Sequence, residues 1–158
     1  MNESLEAIER ADGALFVRFG ERDLPARFTD LQSEWAAVRQ GCGVLDARFR
    51  GLLRLVGSDR TTFLQGMLSN DVVELHDGQG TYAAFLTQQG KVVSDLRVYV
   101  LADGLWIDVP SQRWTAVRDG LGRYIIADDV EFSEDGACEP LLALEGPLAA
   151  RTLLSVIR

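Results

Sequence analysis

One strand carries the chemistry most open to interpretation in this sequence. Residues 92–101 (Val-Val-Ser-Asp-Leu-Arg-Val-Tyr-Val-Leu) read as the longest strand, and side chains alternate across a strand. One face then holds Val92, Ser94, Leu96, Val98 and Val100 and belongs against a core. The other holds Val93, Asp95, Arg97, Tyr99 and Leu101. A carboxylate, a guanidinium and a phenol follow one another there at intervals of about 7 Å. Such a row suits a pocket wall, with Asp95 receiving paired N–H donors from a heterocycle and Tyr99 covering its ring. Asp is depleted in strand interiors, which favours a task for it. The same row also describes a solvated sheet face, where an Asp–Arg pair contributes well under about 1 kcal/mol.

The elements that must position this strand alternate in type. Residues 3–11 form a short helix, and 14–19 a strand ending at the turn Gly20-Glu21-Arg22-Asp23. Thr29 or Asp30 can N-cap a helix through Arg39, striped by Leu31, Trp35 and Val38. A strand pair follows at 44–47 and 51–56. Ser58 and Asp59 open the next helix, which buries Phe63, Leu64, Met67 and Leu68. Asn70 and Asp71 close it, since Asn tolerates the left-handed conformation. Residues 80–87 form a strand, 88–91 a turn, and Ala102-Asp103-Gly104 a tight hairpin turn into a strand over 105–109. A helix over 112–126 and short strands near 130–132 and 140–144 complete the order. This argues for an α+β domain, an antiparallel-rich sheet with helices packed on one face. Pro147 suits the start of a final apolar helix over 148–157, which needs something to cover it. The expectation is a domain over 1–145, and the start of a following segment of a longer protein over 146–158.

Composition narrows the classes. The chain has 158 residues, is 47% hydrophobic and 25% charged, and carries a net charge of −8, as a folded globule does. No basic face is available for nucleic acid, so no nucleic-acid partner is expected. The acids gather between Asp119 and Glu145, where a solvated face or a partner-docking surface would place them. Cys42 and Cys138 make no disulfide framework, and His76 is the sole histidine, so neither a Cys/His metal site nor a His-based triad is available. No apolar run reaches 18 residues and the N-terminus has no signal-peptide pattern. The expectations are no metal, no membrane and a cytoplasmic location.

Several runs in order carry a resemblance. They are Gly43-Val44-Leu45-Asp46, Gly51 to Arg60, Phe63-Leu64-Gln65-Gly66-Met67-Leu68-Ser69-Asn70-Asp71-Val72, Gly80-Thr81-Tyr82, Gly90 to Tyr99, and Leu144-Glu145-Gly146-Pro147. Together they resemble the folate-binding superfamily of the glycine cleavage T-protein. Gly90-Lys91 followed by Ser94, Asp108-Val109-Pro110 and Tyr124 to Val130 look closest to its YgfZ-type branch, which is linked to iron–sulfur cluster assembly or repair.

The resemblance implies the N-terminal domain of the T-protein/YgfZ fold, with tetrahydrofolate in a central channel. It implies that Asp95 contacts the folate and is central to transfer at N5, the one catalytic candidate. It implies Tyr99 at the folate site, with Tyr82, Arg97 and Asn70 as further candidate contacts. On residue pattern, Tyr82 is expected in the core and Asn70 at the helix exit. Two departures from the transferases stand out. Val109 replaces a polar Asn, and Arg48-Phe49-Arg50 replaces Ser-His-Met, at a place where the third position can line the folate pocket.

Three functions follow. The preferred one is a tetrahydrofolate-binding factor of the YgfZ kind, whose partners are iron–sulfur proteins. Its Lys-Gly-Cys-Tyr-x-Gly-Gln-Glu motif would lie beyond residue 158. The second is an aminomethyltransferase served by a lipoyl carrier protein. The third is a folate-free interaction module using the acidic segment.

Overall fold

The computed structural model describes residues 4–133 and 141–157. The chain divides into two compact units. One comprises Met1–Phe49 with Pro140–Arg158, the other Arg50–Glu139. The expected α+β class and antiparallel pairing are both present. The strands form three sheets rather than one.

The first unit is built from short elements. Helix α1 (Leu5–Ala11) begins at Ser4, whose hydroxyl accepts from the Ala7 amide at 3.3 Å. Strands β1 (Leu15–Phe19) and β2 (Arg22–Arg27) form a hairpin. The sequence reading missed β2, because Pro25 cannot donate to a ladder and argues against a central strand. In a two-stranded ribbon that missing donor is tolerated. Helix α2 (Leu31–Gln40) is capped by Asp30, which accepts from the Ser33 amide at 3.0 Å. Strand β3 (Gly43–Asp46) pairs with β9 (Leu142–Glu145), and α5 (Ala149–Val156) ends the described chain.

The second unit holds a five-stranded sheet in the order β5-β6-β7-β4-β8. Its strands are β4 (Arg50–Val56), β5 (Gly80–Leu86), β6 (Val92–Leu101), β7 (Gly104–Pro110) and β8 (Glu131–Phe132). The expected pairing of 44–47 with 51–56 is therefore incorrect. Strand β3 finds its partner near the end of the chain, and β4 finds β7 and β8. Only the short stretch Ala47–Phe49 separates β3 from β4, and nothing local distinguishes it from a hairpin turn.

Alternation along the strands decides what is buried. Leu53, Leu55, Ala83, Phe85, Leu96, Val98, Leu105, Ile107 and Val109 share one face. Phe63 and Leu64 of α3 (Arg60–Met67) and Val117 and Leu121 of α4 (Trp114–Gly122) close over it. Each fully buried Leu, Ile or Val there contributes about 1.5–3 kcal/mol. Helix α4 is shorter than the expected 112–126. It opens on a 3-10 turn at Ser111–Arg113, and Tyr124 and Ile125 lie beyond its end.

The start of α3 also departs from expectation. Asp59 occupies the N-cap without a side-chain cap bond, and Ser58 does not cap either. The Ser58 amide and hydroxyl both donate to Asp129 Oδ2, at 2.9 and 2.8 Å, and the Asp129 amide donates to Asp59 Oδ2 at 2.8 Å. The helix start is clamped to a loop about 70 residues away. Part of the acidic stretch from Asp119 to Glu145 (134–140) lies outside the described residues.

Candidate functional site

The face of the five-stranded sheet opposite the core carries the polar row. Strand β6 runs over Val92–Leu101 as the alternation requires, with Ser94, Leu96 and Val98 buried. Asp95, Arg97 and Tyr99 point the other way, and register adds their neighbours. Ala84 lies opposite Asp95, Tyr82 opposite Arg97 and Gly80 opposite Tyr99 on β5. On β7, Asp108 lies opposite Arg97 and Trp106 opposite Tyr99. On β4, Leu52 lies opposite Asp108, and Arg50 opposite Pro110.

Two hydrogen-bonded groups organise this face. In the first, the Tyr82 hydroxyl donates to Asp95 Oδ2 at 3.1 Å. Among the described residues, no hydrogen bond reaches Asp95 Oδ1. Donating to Asp95 holds the Tyr82 phenol above its ordinary pKa, and partial burial and the charge of Asp95 add to the shift. In the second, Asp108 is buried and takes two arginines. Arg50 Nε donates to its Oδ1 at 2.7 Å and Arg97 Nη1 to its Oδ2 at 3.2 Å. Arg50 Nη2 also donates to the Asp108 carbonyl at 3.0 Å. Charged groups on both sides satisfy this buried carboxylate.

The sequence candidates are distributed as follows. Asp95, Arg97, Tyr99 and Tyr82 share the face. Tyr82 is not a core residue: it is 61% exposed, because its neighbours Thr81 and Ala83 occupy the opposite parity. Asn70 stands in the loop after α3. Its amide donates to Thr81 Oγ1 at 2.9 Å and to the Tyr82 carbonyl at 3.0 Å, fixing the loop to β5. Its backbone is not left-handed, so Asn70 holds the helix exit through its side chain. Val109 is fully buried in the core. An apolar residue there therefore removes no partner from the polar face. Asp108, which joins Arg50 and Arg97 on this face, was not among the sequence candidates. An Asp alternating with Leu105, Ile107 and Val109 inside a strand was the available signal.

Three cavities lie elsewhere. One of about 640 Å³ in the first unit is bordered by Arg27, Phe28, Val38, Cys42 and Leu45. Two in the second unit, of about 510 and 580 Å³, border α4 and its C-terminal loop. Asp95 and Tyr99 line none of these three. Among the described residues no cluster of His, Cys, Asp and Glu could hold a metal ion, and no helix is long and apolar enough to cross a membrane.

Comparison with known proteins shows the family. A model of the GCVT N-terminal domain matches residues 5–158. The chain belongs to that family. It is 34% identical over 145 residues to the aminomethyltransferase of Lysinibacillus sphaericus, covering 91% of this chain and 40% of the relative. It is 35% identical to the aminomethyltransferase of Anoxybacillus flavithermus, covering 89% and 39%. The crystal structure of glycine cleavage system aminomethyltransferase T from Bartonella henselae superposes with a TM-score of 0.85 at 25% identity, over 96% of this chain and 42% of that one. The chain thus spans about two-fifths of the length of these relatives, and its fold is that of a T-protein N-terminal domain.

Proposed function

We propose that this GCVT N-terminal domain supplies the folate-facing sheet of an aminomethyltransferase. In this reaction an aminomethyl group passes from a lipoyl carrier to tetrahydrofolate, releasing ammonia and leaving a methylene on the folate. The reading rests on one observation, the Tyr82–Asp95 hydrogen bond on the non-core face of β5 and β6. It fixes one carboxylate oxygen and leaves the other to accept N–H donors from a heterocycle. The names of the relatives support the same reaction class. So does the buried place of Val109, which leaves the polar face intact.

The residues present fit a reduced folate. Asp95 offers an acceptor, the exposed ring of Tyr82 offers planar surface beside it, and the partly exposed ring of Tyr99 stands further along the same face of β6. Reduced folate supplies the nucleophilic amine. The chain's own part is placement and electrostatics. Asp95 would orient the ligand and offset positive charge developing near it, Tyr82 would hold Asp95 in one rotamer, and Tyr99 would cover the ring.

A second reading is a non-enzymatic folate-binding factor of the YgfZ kind, acting with iron–sulfur proteins. The Arg50–Asp108–Arg97 group favours it, because Arg50 stands where the transferases have Met and Asp108 belongs to the YgfZ-like run. Calorimetry with tetrahydrofolate and turnover with a lipoyl-linked aminomethyl donor, both on the intact gene product, separate the two. The transferase reading expects binding, turnover, and loss of both in Asp95→Ala. Binding without turnover favours the second reading, and no heat from any reduced folate removes both.

A further inference from the structure

We propose that Arg97 is a positioning residue for Tyr99. Held in place by Asp108, it fixes the Tyr99 ring in one orientation over Gly80, so that this face meets its ligand already ordered. Resting on the folate reading above, this deepens it: Arg97 acts through Tyr99 rather than by touching the ligand.

The floor under the Tyr99 ring is bare. Gly80 lies opposite Tyr99 in the register of β5 and β6. A Cβ at Gly80 would stand 2.8 Å from Cδ1 and 3.3 Å from Cε1 of Tyr99. The ring therefore leans across β5 on a position that has no side chain. Glycine inside a strand weakens it and marks a place where another group approaches closely. On the other flank Trp106 of β7 lies opposite Tyr99. Its indole Nε1 donates to Asp103 Oδ1 at 3.0 Å, which ties Trp106 to the β6–β7 turn.

Arg97 supplies the tie at the polar end of the ring. It precedes Tyr99 by two residues on the same face of β6, and its guanidinium donates to the Tyr99 hydroxyl. Arg97 is itself restrained, because its Nη1 donates to Asp108 Oδ2 at 3.2 Å. Asp108 is in turn held by Arg50 Nε at 2.7 Å, and its side chain is only 9% exposed. The chain of bonds runs from β4 through β7 to β6 and ends on the phenol. Polar networks whose members satisfy one another rigidify the groups they join. Tyr99 still keeps 39% of its surface exposed, so the ring can meet a ligand. A ring already ordered loses less entropy on binding than one that must be immobilised. Each ligand-facing group then has its own tether: Tyr82 holds Asp95, and Arg97 holds Tyr99.

A double-mutant cycle tests the assignment, read as tetrahydrofolate binding to the intact gene product by calorimetry, with near-ultraviolet circular dichroism on every variant. Arg97→Met should weaken tetrahydrofolate several-fold. Tyr99→Phe keeps the ring and loses the hydroxyl, and should weaken it to a similar degree. Made in the Tyr99→Phe background, Arg97→Met should cost nothing more, and the aromatic dichroism that it alters in wild type should stay unchanged. Arg97→Lys should recover part of the loss, because a lysine can still donate to the Tyr99 hydroxyl. Should Arg97→Met fail to fold, Arg97→Lys closes the same cycle with Tyr99→Phe. A purely structural loss of the partner of Asp108 would lower stability equally in both backgrounds and leave no coupling to Tyr99. Additive losses of affinity, or unchanged affinity in Arg97→Met, overturn the assignment while leaving the folate reading in place. Failure of wild type to bind tetrahydrofolate removes the folate reading and the assignment with it.

Discussion

The Tyr82 hydroxyl reaches diagonally from β5 to Asp95 on β6, 3.1 Å from Oδ2, although the register sets Tyr82 opposite Arg97 and Asp95 opposite Ala84. Ala84 has no side chain long enough to engage Asp95, so the phenol from the next row does. Tyr82→Phe removes this tether and little else, since Tyr82 is largely exposed. The melting temperature should hardly move, whereas affinity for tetrahydrofolate should fall several-fold as Asp95 gains rotamers. In ultraviolet titration a late component from Tyr82 should appear above the ordinary tyrosine range, because donation to Asp95 raises its pKa. That late component should vanish in Tyr82→Phe and move back toward the ordinary range in Asp95→Ala. A late component surviving in Tyr82→Phe would assign the raised phenol elsewhere.

Two glycines should respond in opposite directions. Gly57 has a φ of +105°, and a Cβ there would stand 2.0 Å from the Asp129 carbonyl oxygen. Both the backbone and the close approach require glycine. Gly57→Ala should therefore destabilise the fold by about 3 kcal/mol or more in denaturant melts. Gly66 lies inside α3 with nothing within 4 Å of its would-be Cβ. Gly66→Ala should stabilise by about 0.5–1 kcal/mol, through helix propensity alone. Equal effects from the two would contradict the packing described.

Local signals mark most of the elements, whereas their partners are set by residues far away in the chain. The alternation along 92–101 marks both ends of β6 and both of its faces, because period-2 burial is written residue by residue. Asp30 as a cap and Asp103-Gly104 as a turn are equally local. Tyr82 was within reach of the same argument, since Ala83 and Phe85 fix the parity of β5. Pairings over long separations were not legible. Strand β3 meets β9 across roughly a hundred residues, and Ser58 takes its partner Asp129 from 71 residues away. Asp108 is marked locally as an acid inside a strand, but its partner is not. Its meaning comes from Arg50, 58 residues earlier, and no local pattern announces that bond. Val109, which stands where the transferases have a polar Asn, is sent to the core by its parity with Leu105 and Ile107.

The Ser58–Asp129 clamp should be read out by pH. The Ser58 backbone N–H and then its hydroxyl hold the Asp129 carboxyl below its usual value of 3.8. A carboxylate lowered on folding adds stability above its unfolded pKa, and this is lost as pH falls through the folded value. Asp129→Asn should therefore melt below wild type at pH 7. The gap should close as pH drops below about 3.8. A gap that persists undiminished in acid would mean that packing, not charge, sets the contribution of Asp129.

The opposite sign is expected in the first unit, where Arg48 serves two acids. Arg48 Nη2 donates to Glu9 Oε2 at 2.9 Å, and Arg48 Nε donates to Asp46 Oδ2 at 2.8 Å. Glu9 and Asp46 are both buried. One cation between two buried carboxylates leaves one negative charge in excess. Burial first, and then the neighbouring Asp46, push the Glu9 carboxyl above its ordinary 4.5, with Arg48 opposing. An acid raised on folding contributes stability below about 4.5 that is lost as pH rises through its folded pKa. Glu9→Gln removes the excess charge and keeps a side chain able to meet Arg48. Its melting temperature relative to wild type should therefore rise between pH 4 and pH 7.5. Arg48→Met should act the other way, costing about 3–5 kcal/mol at neutral pH by leaving two buried carboxylates uncompensated. The Arg48→Met cost should shrink in acid as Glu9 takes up a proton, and a cost independent of pH would show that Arg48 acts through its packing alone.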